Sequence, residues 1–122
     1  MKAVIIHPGI SVETVEFCGY QTIWDAVGGL IEAAHASPDL TIWCNEEGKL
    51  KGLPVNLAAT SLWWTINPPM RGRDVLAGPV LVTGGASPEG DTLGLTDEQC
   101  ELVERYVSLA RVRGGGANQP DS

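Results

Sequence analysis

Residues 20–36 read YQTIWDAVGGLIEAAHA, and the reading of this stretch as one helix or as two elements decides the fold. Ile23, Trp24, Val27, Leu30, Ile31 and Ala34 fall at i, i+1, i+4, i+7, i+8 and i+11, which is the wide apolar stripe of an amphipathic helix. Gly28-Gly29 stand in the middle of that stripe, and each costs about 1 kcal/mol relative to alanine in a helix interior. Either another backbone approaches closely there, or the helix breaks. The periodicity predicts a helix over 20–36, stopped by Ser37-Pro38-Asp39.

On the N-terminal side, Lys2 to His7 is a β-branched run and Pro8-Gly9 is turn chemistry. With Ser11 to Phe17 it predicts a β-hairpin. On the C-terminal side, Leu40 to Cys44 (LTIWC) reads as a strand. NEEGK then turns the chain, with Asn45 and Gly48 suited to a type I turn followed by an αL residue. Leu50 to Leu53 is expected to pair back until Pro54 ends the ladder.

Asn56 is placed to cap a short helix, LAATSLWWT. INPPMRGRD is an exposed loop. Val75 to Thr83 is an apolar strand whose Gly78-Pro79 implies a bulge or a sheet edge. Thr96 and Gln99 form a capping box at the head of the last helix, with Leu95 and Cys100 at the staple positions. Gly114 to Gly116 are expected to end that helix.

The order is ββαββαβα. It predicts an α+β domain: a mostly antiparallel sheet of about five strands, with two longer helices and one short helix covering one face. A chain of 122 residues with 43% apolar residues supports a single domain, placed at 1–113, with 114–122 as a disordered tail. No apolar run approaches the roughly 20 residues a membrane helix needs. The start has no signal-peptide core, so a cytosolic protein is expected. Cys18, Cys44 and Cys100 are scattered singly, which suggests neither a disulfide framework nor a metal knuckle. His7 and His35 lie on different elements and away from ligand spacing, so no metal and no cofactor are expected.

A net charge of −7 argues against general nucleic-acid binding. The charge is uneven, however. Between residues 45 and 73, Lys49, Lys51, Arg71 and Arg73 face only Glu46 and Glu47, a net of +2, whereas Asp74 to Glu104 holds seven acids and no base. Trp43, Trp63 and Trp64 fall in or beside the basic stretch. Adjacent tryptophans on a helix sit about 100° apart, so Trp63 and Trp64 cannot both face the core. Tryptophan with arginine suits a flat anionic ligand, and equally a protein–protein hot spot. Neither G-x-S-x-G nor a P-loop occurs, and VTGGASPEG lacks the lysine of a phosphate cradle.

MKAVIIHPG, WCNEEGKLKGLPVN and DVLAGPVLVTGG, in this order, resemble a family of small proteins encoded by phages, prophages and mobile elements and classed as a domain of unknown function. The resemblance covers roughly residues 1 to 110. It implies a phage accessory protein acting in the host cytoplasm, and it carries no catalytic residues to transfer. Asn45, Glu46, Gly48, Lys49, Gly52, Leu53, Pro54 and Asn56 match its motif.

Together these readings lead to one expectation: a non-catalytic binder of a small anionic ligand, such as a sponge for a nucleotide immune signal in counter-defence. Lys49, Lys51, Arg71 and Arg73 would meet phosphate, Trp43 or Trp63 would stack on the base, and Asn45 and Asn56 would hydrogen-bond its edge. The alternative is a protein–protein module that inhibits or redirects a host protein. A homo-oligomer is compatible with either.

Overall fold

The computed structural model describes residues 1–9 and 11–118, with backbone alone for His35 and for residues 110–118. The protein is α+β. Five strands, β1 (Lys2–His7), β2 (Ser11–Glu16), β3 (Ile31–Ser37), β4 (Leu40–Asn45) and β5 (Val80–Gly84), form one antiparallel sheet in the order β2-β1-β5-β4-β3. Three α-helices accompany it: α1 (Tyr20–Val27), α2 (Leu57–Ile66) and α3 (Asp97–Asn118).

The element order is the expected one, but one helix and one strand are not where the periodicity put them. The helix over 20–36 stops at Val27. Gly28 takes the left-handed conformation (φ 77) and returns its N–H to Trp24 O at 2.9 Å, a glycine C-cap. Residues 31–37 then form β3, so His35 lies on a strand and not at a helix end. Ser37 builds the β3–β4 turn: its Oγ accepts from the N–H groups of Asp39 (3.2 Å) and Leu40 (3.1 Å). Both edges of β4 are thus taken, by β3 and β5, and no ladder remains for Leu50–Leu53. Those residues lie in a coil of turns, and Leu50 is 88% exposed.

Two apolar layers flank the sheet. On one face Val4, Ile6, Ile42, Val80 and Val82 pack with Ala58, Ala59, Leu62 and Trp63 of α2 and with Cys100, Val103 and Val107 of α3. On the other, Ala3 and Leu81 pack with Phe17 and with Ile23 of α1, and Trp43 packs against them. Alternate residues of β1, β4 and β5 therefore serve opposite layers, as the period of a strand dictates. Helices cover both faces and not one. β5 is the central strand, and Gly78 and Pro79 lie just outside it, so the proline removes no ladder donor.

The caps agree with the sequence. Asn56 Oδ1 accepts from Ala59 N–H (3.1 Å) at the head of α2. Thr96 N–H donates to Gln99 Oε1 (2.9 Å), and Gln99 N–H donates to Thr96 Oγ1 (3.1 Å). Leu95 and Cys100 are both buried. At the far end, α3 continues through Gly114–Gly116 to Asn118, past the expected stop. The rest of the expected tail, 119–122, lies outside the described residues. Among those described, no helix is long and apolar enough to cross a membrane.

Candidate functional site

The stretch CNEEGKLKGLPVN leaves β4, turns, and through Cys44, Asn45, Glu46 and Lys49 lines a cleft of about 350 Å³. The rest of the lining comes from Glu32 to Ala34 of the neighbouring β3, Trp63 and Asn67 at the end of α2, and the segment Asp74 to Ala77. This volume is at the lower end of the roughly 300–1,000 Å³ typical of small-molecule sites.

Asn45 fixes the wall. It is 6% exposed, donates from Nδ2 to Val27 O (3.2 Å) and accepts at Oδ1 from Glu47 N–H (2.8 Å), so it ties the loop to the end of α1. Gly29 is required beside it, since a Cβ there would come within 3.0 Å of the Asn45 amide nitrogen. Gly48 is also explained by crowding and not by an αL turn: a Cβ would come within 3.0 Å of Ala77 O.

Lys49 is paired with Asp74 across the cleft. Chiefly through Lys49, and against partial desolvation, the Asp74 carboxyl is held below its ordinary range; the Val75 N–H at 2.8 Å adds to this. Cys44 donates weakly to Glu32 O (3.5 Å). Burial, reinforced by Glu32, pushes its thiol up to about 11, so it is protonated at neutral pH and is a poor nucleophile. Counting charges, the lining has Glu32, Glu46 and Asp74 against Lys49. Among the described residues, no group of three His, Cys, Asp or Glu side chains is placed to hold a metal ion.

Of the eight residues expected to bind a ligand, the cleft gathers Asn45, Lys49 and Trp63. Asn56 is excluded because it is 0% exposed and fully engaged. Besides capping α2, its Nδ2 donates to Ile6 O and Gly78 O, both at 2.9 Å. Trp43 is on the opposite face of the sheet, in the α1 layer, with Nε1 donating to Thr83 Oγ1 (2.8 Å). It cannot share a ligand with Trp63, which is 5% exposed in the α2 layer. Lys51 pairs with Glu47 at 3.6 Å beside the cleft. Arg73 is exposed and does not line the cleft, and Arg71 lines a separate recess with Trp64. The expected basic surface is therefore dispersed, and its two lysines are paired.

Sequence reasoning missed Glu32, Cys44, Asp74 and Asn67 as cleft residues. Glu32 joins the cleft only because 31–37 is a strand, so the helical reading concealed it. Asp74 follows Arg71 and Arg73 directly, and an acid closing a basic loop was the available signal.

No curated protein and no solved structure matches the chain. A family model does match, over residues 1–108, and its span takes in the whole sheet, the cleft and most of α3. The protein therefore belongs to the family described as Domain of unknown function (DUF3846).

Proposed function

We propose that the protein is a non-catalytic binder of a small polar ligand held in the Asn45–Lys49–Trp63 cleft, and, following the motif resemblance, a phage accessory protein working in the host cytoplasm. One observation carries this reading: the cleft offers charges of both signs beside an indole, while the Cys44 thiol that lines it is held protonated. A protonated thiol beside paired and hydrogen-bonded polar groups suits recognition better than nucleophilic chemistry.

The lining also bears on the ligand. A purely anionic molecule, the class expected from the basic residues, would meet three carboxylates and a lysine already paired with Asp74. A ligand with an amino or ammonium group fits better, with Glu32 and Glu46 as acceptors and Trp63 against its apolar body. A nucleotide sponge built on this cleft ranks behind it.

The test is a thermal-shift panel of polyamines, amino sugars, nucleosides and cyclic oligonucleotides. A ligand that binds the folded chain alone raises Tm, and does so further as its concentration exceeds Kd. The expected result is a rise with an amine-bearing ligand that is lost in Glu32→Gln. No shift with any member at saturating concentration would sink the proposal.

The alternative, a module that engages a host protein, is favoured by Tyr20 and Trp24. They stand on α1 with ring centroids 6.4 Å apart and are 65% and 39% exposed. Exposed aromatics of this kind are enriched at interface hot spots. A pull-down from host lysate that recovers no stoichiometric partner would count against it, and a partner retained by Trp24→Ala would move the contact off α1.

A further inference from the structure

The recess that contains Arg71 is distinct from the cleft and differs from it in charge. Ser61, Trp64 and Thr65 of α2 line it together with Arg71 and with Tyr106 of α3, around about 330 Å³. Positions 61, 64 and 65 are i, i+3 and i+4, so the three side chains share one face of α2. Among the described residues, no carboxylate lines the recess. Arg71 makes no ion pair among the described residues, unlike Lys49 and Lys51.

The walls are held before any ligand arrives. Trp64 Nε1 donates to Asp74 O (2.9 Å), which ties α2 to the loop. The loop is stiffened by the 3-10 turn Pro68–Met70, and Arg71 N–H donates to Pro68 O (3.0 Å). Thr65 Oγ1 donates to Ser61 O (2.8 Å), so its contact with Tyr106 OH (2.9 Å) has the phenol as donor. The Tyr106 ring is thereby anchored to α2. Arg71 and the Ser61 hydroxyl remain as donors, and Trp64 and Tyr106 supply aromatic surface.

We infer that this recess is a second binding site, for a small anion that carries an aromatic ring, such as a nucleoside monophosphate. The guanidinium and the serine hydroxyl hold the phosphate, and the ring lies against Trp64 or Tyr106. The site shares no lining residue with the cleft, and Asp74 of the cleft wall only anchors Trp64 through its backbone carbonyl. Of the expectation from the sequence it retains the anion and Arg71, but it replaces Trp43 and Trp63 with Trp64, and Lys49, Lys51 and Arg73 with Ser61.

The experiment is calorimetric titration of the full chain with adenosine 5′-monophosphate, adenosine and inorganic phosphate as separate probes. The monophosphate is expected to bind to saturation and more tightly than either fragment. Arg71→Gln, an exposed change that leaves folding intact, is expected to weaken it about tenfold or more. Arg71→Lys should recover only part of that loss, because the planar fork is gone. Raising ionic strength from about 0.05 M to about 0.5 M should weaken the monophosphate more than adenosine. Lys49→Gln and Glu32→Gln, which alter the cleft, should leave monophosphate binding unchanged, so failure at one site is distinguishable from failure at the other.

Three results would overturn the inference. They are no saturable binding of the monophosphate, binding unaffected by Arg71→Gln, or phosphate binding as tightly as the monophosphate, which would leave no role for the rings.

Discussion

The ends of CNEEGKLKGLPVN and its middle obey different physics. Asn45 and Asn56, at the ends, are buried and each bridges backbone groups from distant parts of the chain. Lys49 and Lys51, in the middle, are about half exposed and each meets one carboxylate. An amide carries donors and an acceptor without charge, so it can be buried at the crossing of several segments. An ammonium stays at the surface, where an ion pair contributes little. In this loop the asparagines hold the structure and the lysines tune its surface.

That contrast is sharpest at Asn56. Asn56→Asp keeps the helix-cap acceptor but turns a carboxylate toward Ile6 O and Gly78 O in a fully buried position. It is expected to cost more than about 3 kcal/mol in urea denaturation. Asn56→Ala, which abandons all three bonds, should cost about 2–4 kcal/mol. If the aspartate variant were as stable as the parent, Asn56 would be a cap and nothing more.

Asn45→Ala comes next, at about 1–2 kcal/mol, because it frees Val27 O and Glu47 N–H. Hydrogen exchange should locate the loss in the Glu46–Lys51 turns, and a loss spread evenly over the sheet would break the assignment.

Lys49→Gln is expected to change stability by less than about 1 kcal/mol. Its signature is the pH dependence. The Asp74 carboxyl lies below its ordinary range in the folded chain, so its contribution is present above that range and fades as pH falls through the folded value. The gap between parent and variant should therefore be seen at neutral pH and close in acid. A gap of constant size from neutral pH to well below pH 4 would remove Asp74 as the partner.

Lys51→Gln should be the smallest change, within about 0.5 kcal/mol at any pH where the chain is folded. A larger loss would place Lys51 with the asparagines.

Much of the fold was legible because its signals were local. The capping box at Thr96, the cap at Asn56 and the β1–β2 hairpin each depend on a few neighbouring residues. What escaped depended on partners far away. IEAAHAS is rich in alanine and carries a glutamate, so its own propensity is helical; only pairing with β4 makes it β3. Gly28-Gly29 did contain the answer, since a left-handed cap and a close approach to Asn45 both need residues without side chains. The site was less legible than the fold. Trp43, Trp63 and Trp64 look equivalent as letters. Strand parity sends Trp43 to the α1 layer, while helix rotation buries Trp63 and leaves Trp64 beside Arg71. Burial of Asn56 required knowing that residues 6, 56 and 78 meet.

β5 is the last strand to be synthesised, yet it occupies the middle of the sheet. As the chain leaves the ribosome, it first yields two separate hairpins, β1–β2 and β3–β4, each with one edge that only β5 can fill. Until residues 80–84 arrive, those edges are open templates for any extended chain nearby. The 34 residues from Glu46 to Pro79 are therefore a delay as well as a wall of the cleft. They set how long the two halves of the sheet must wait to become one.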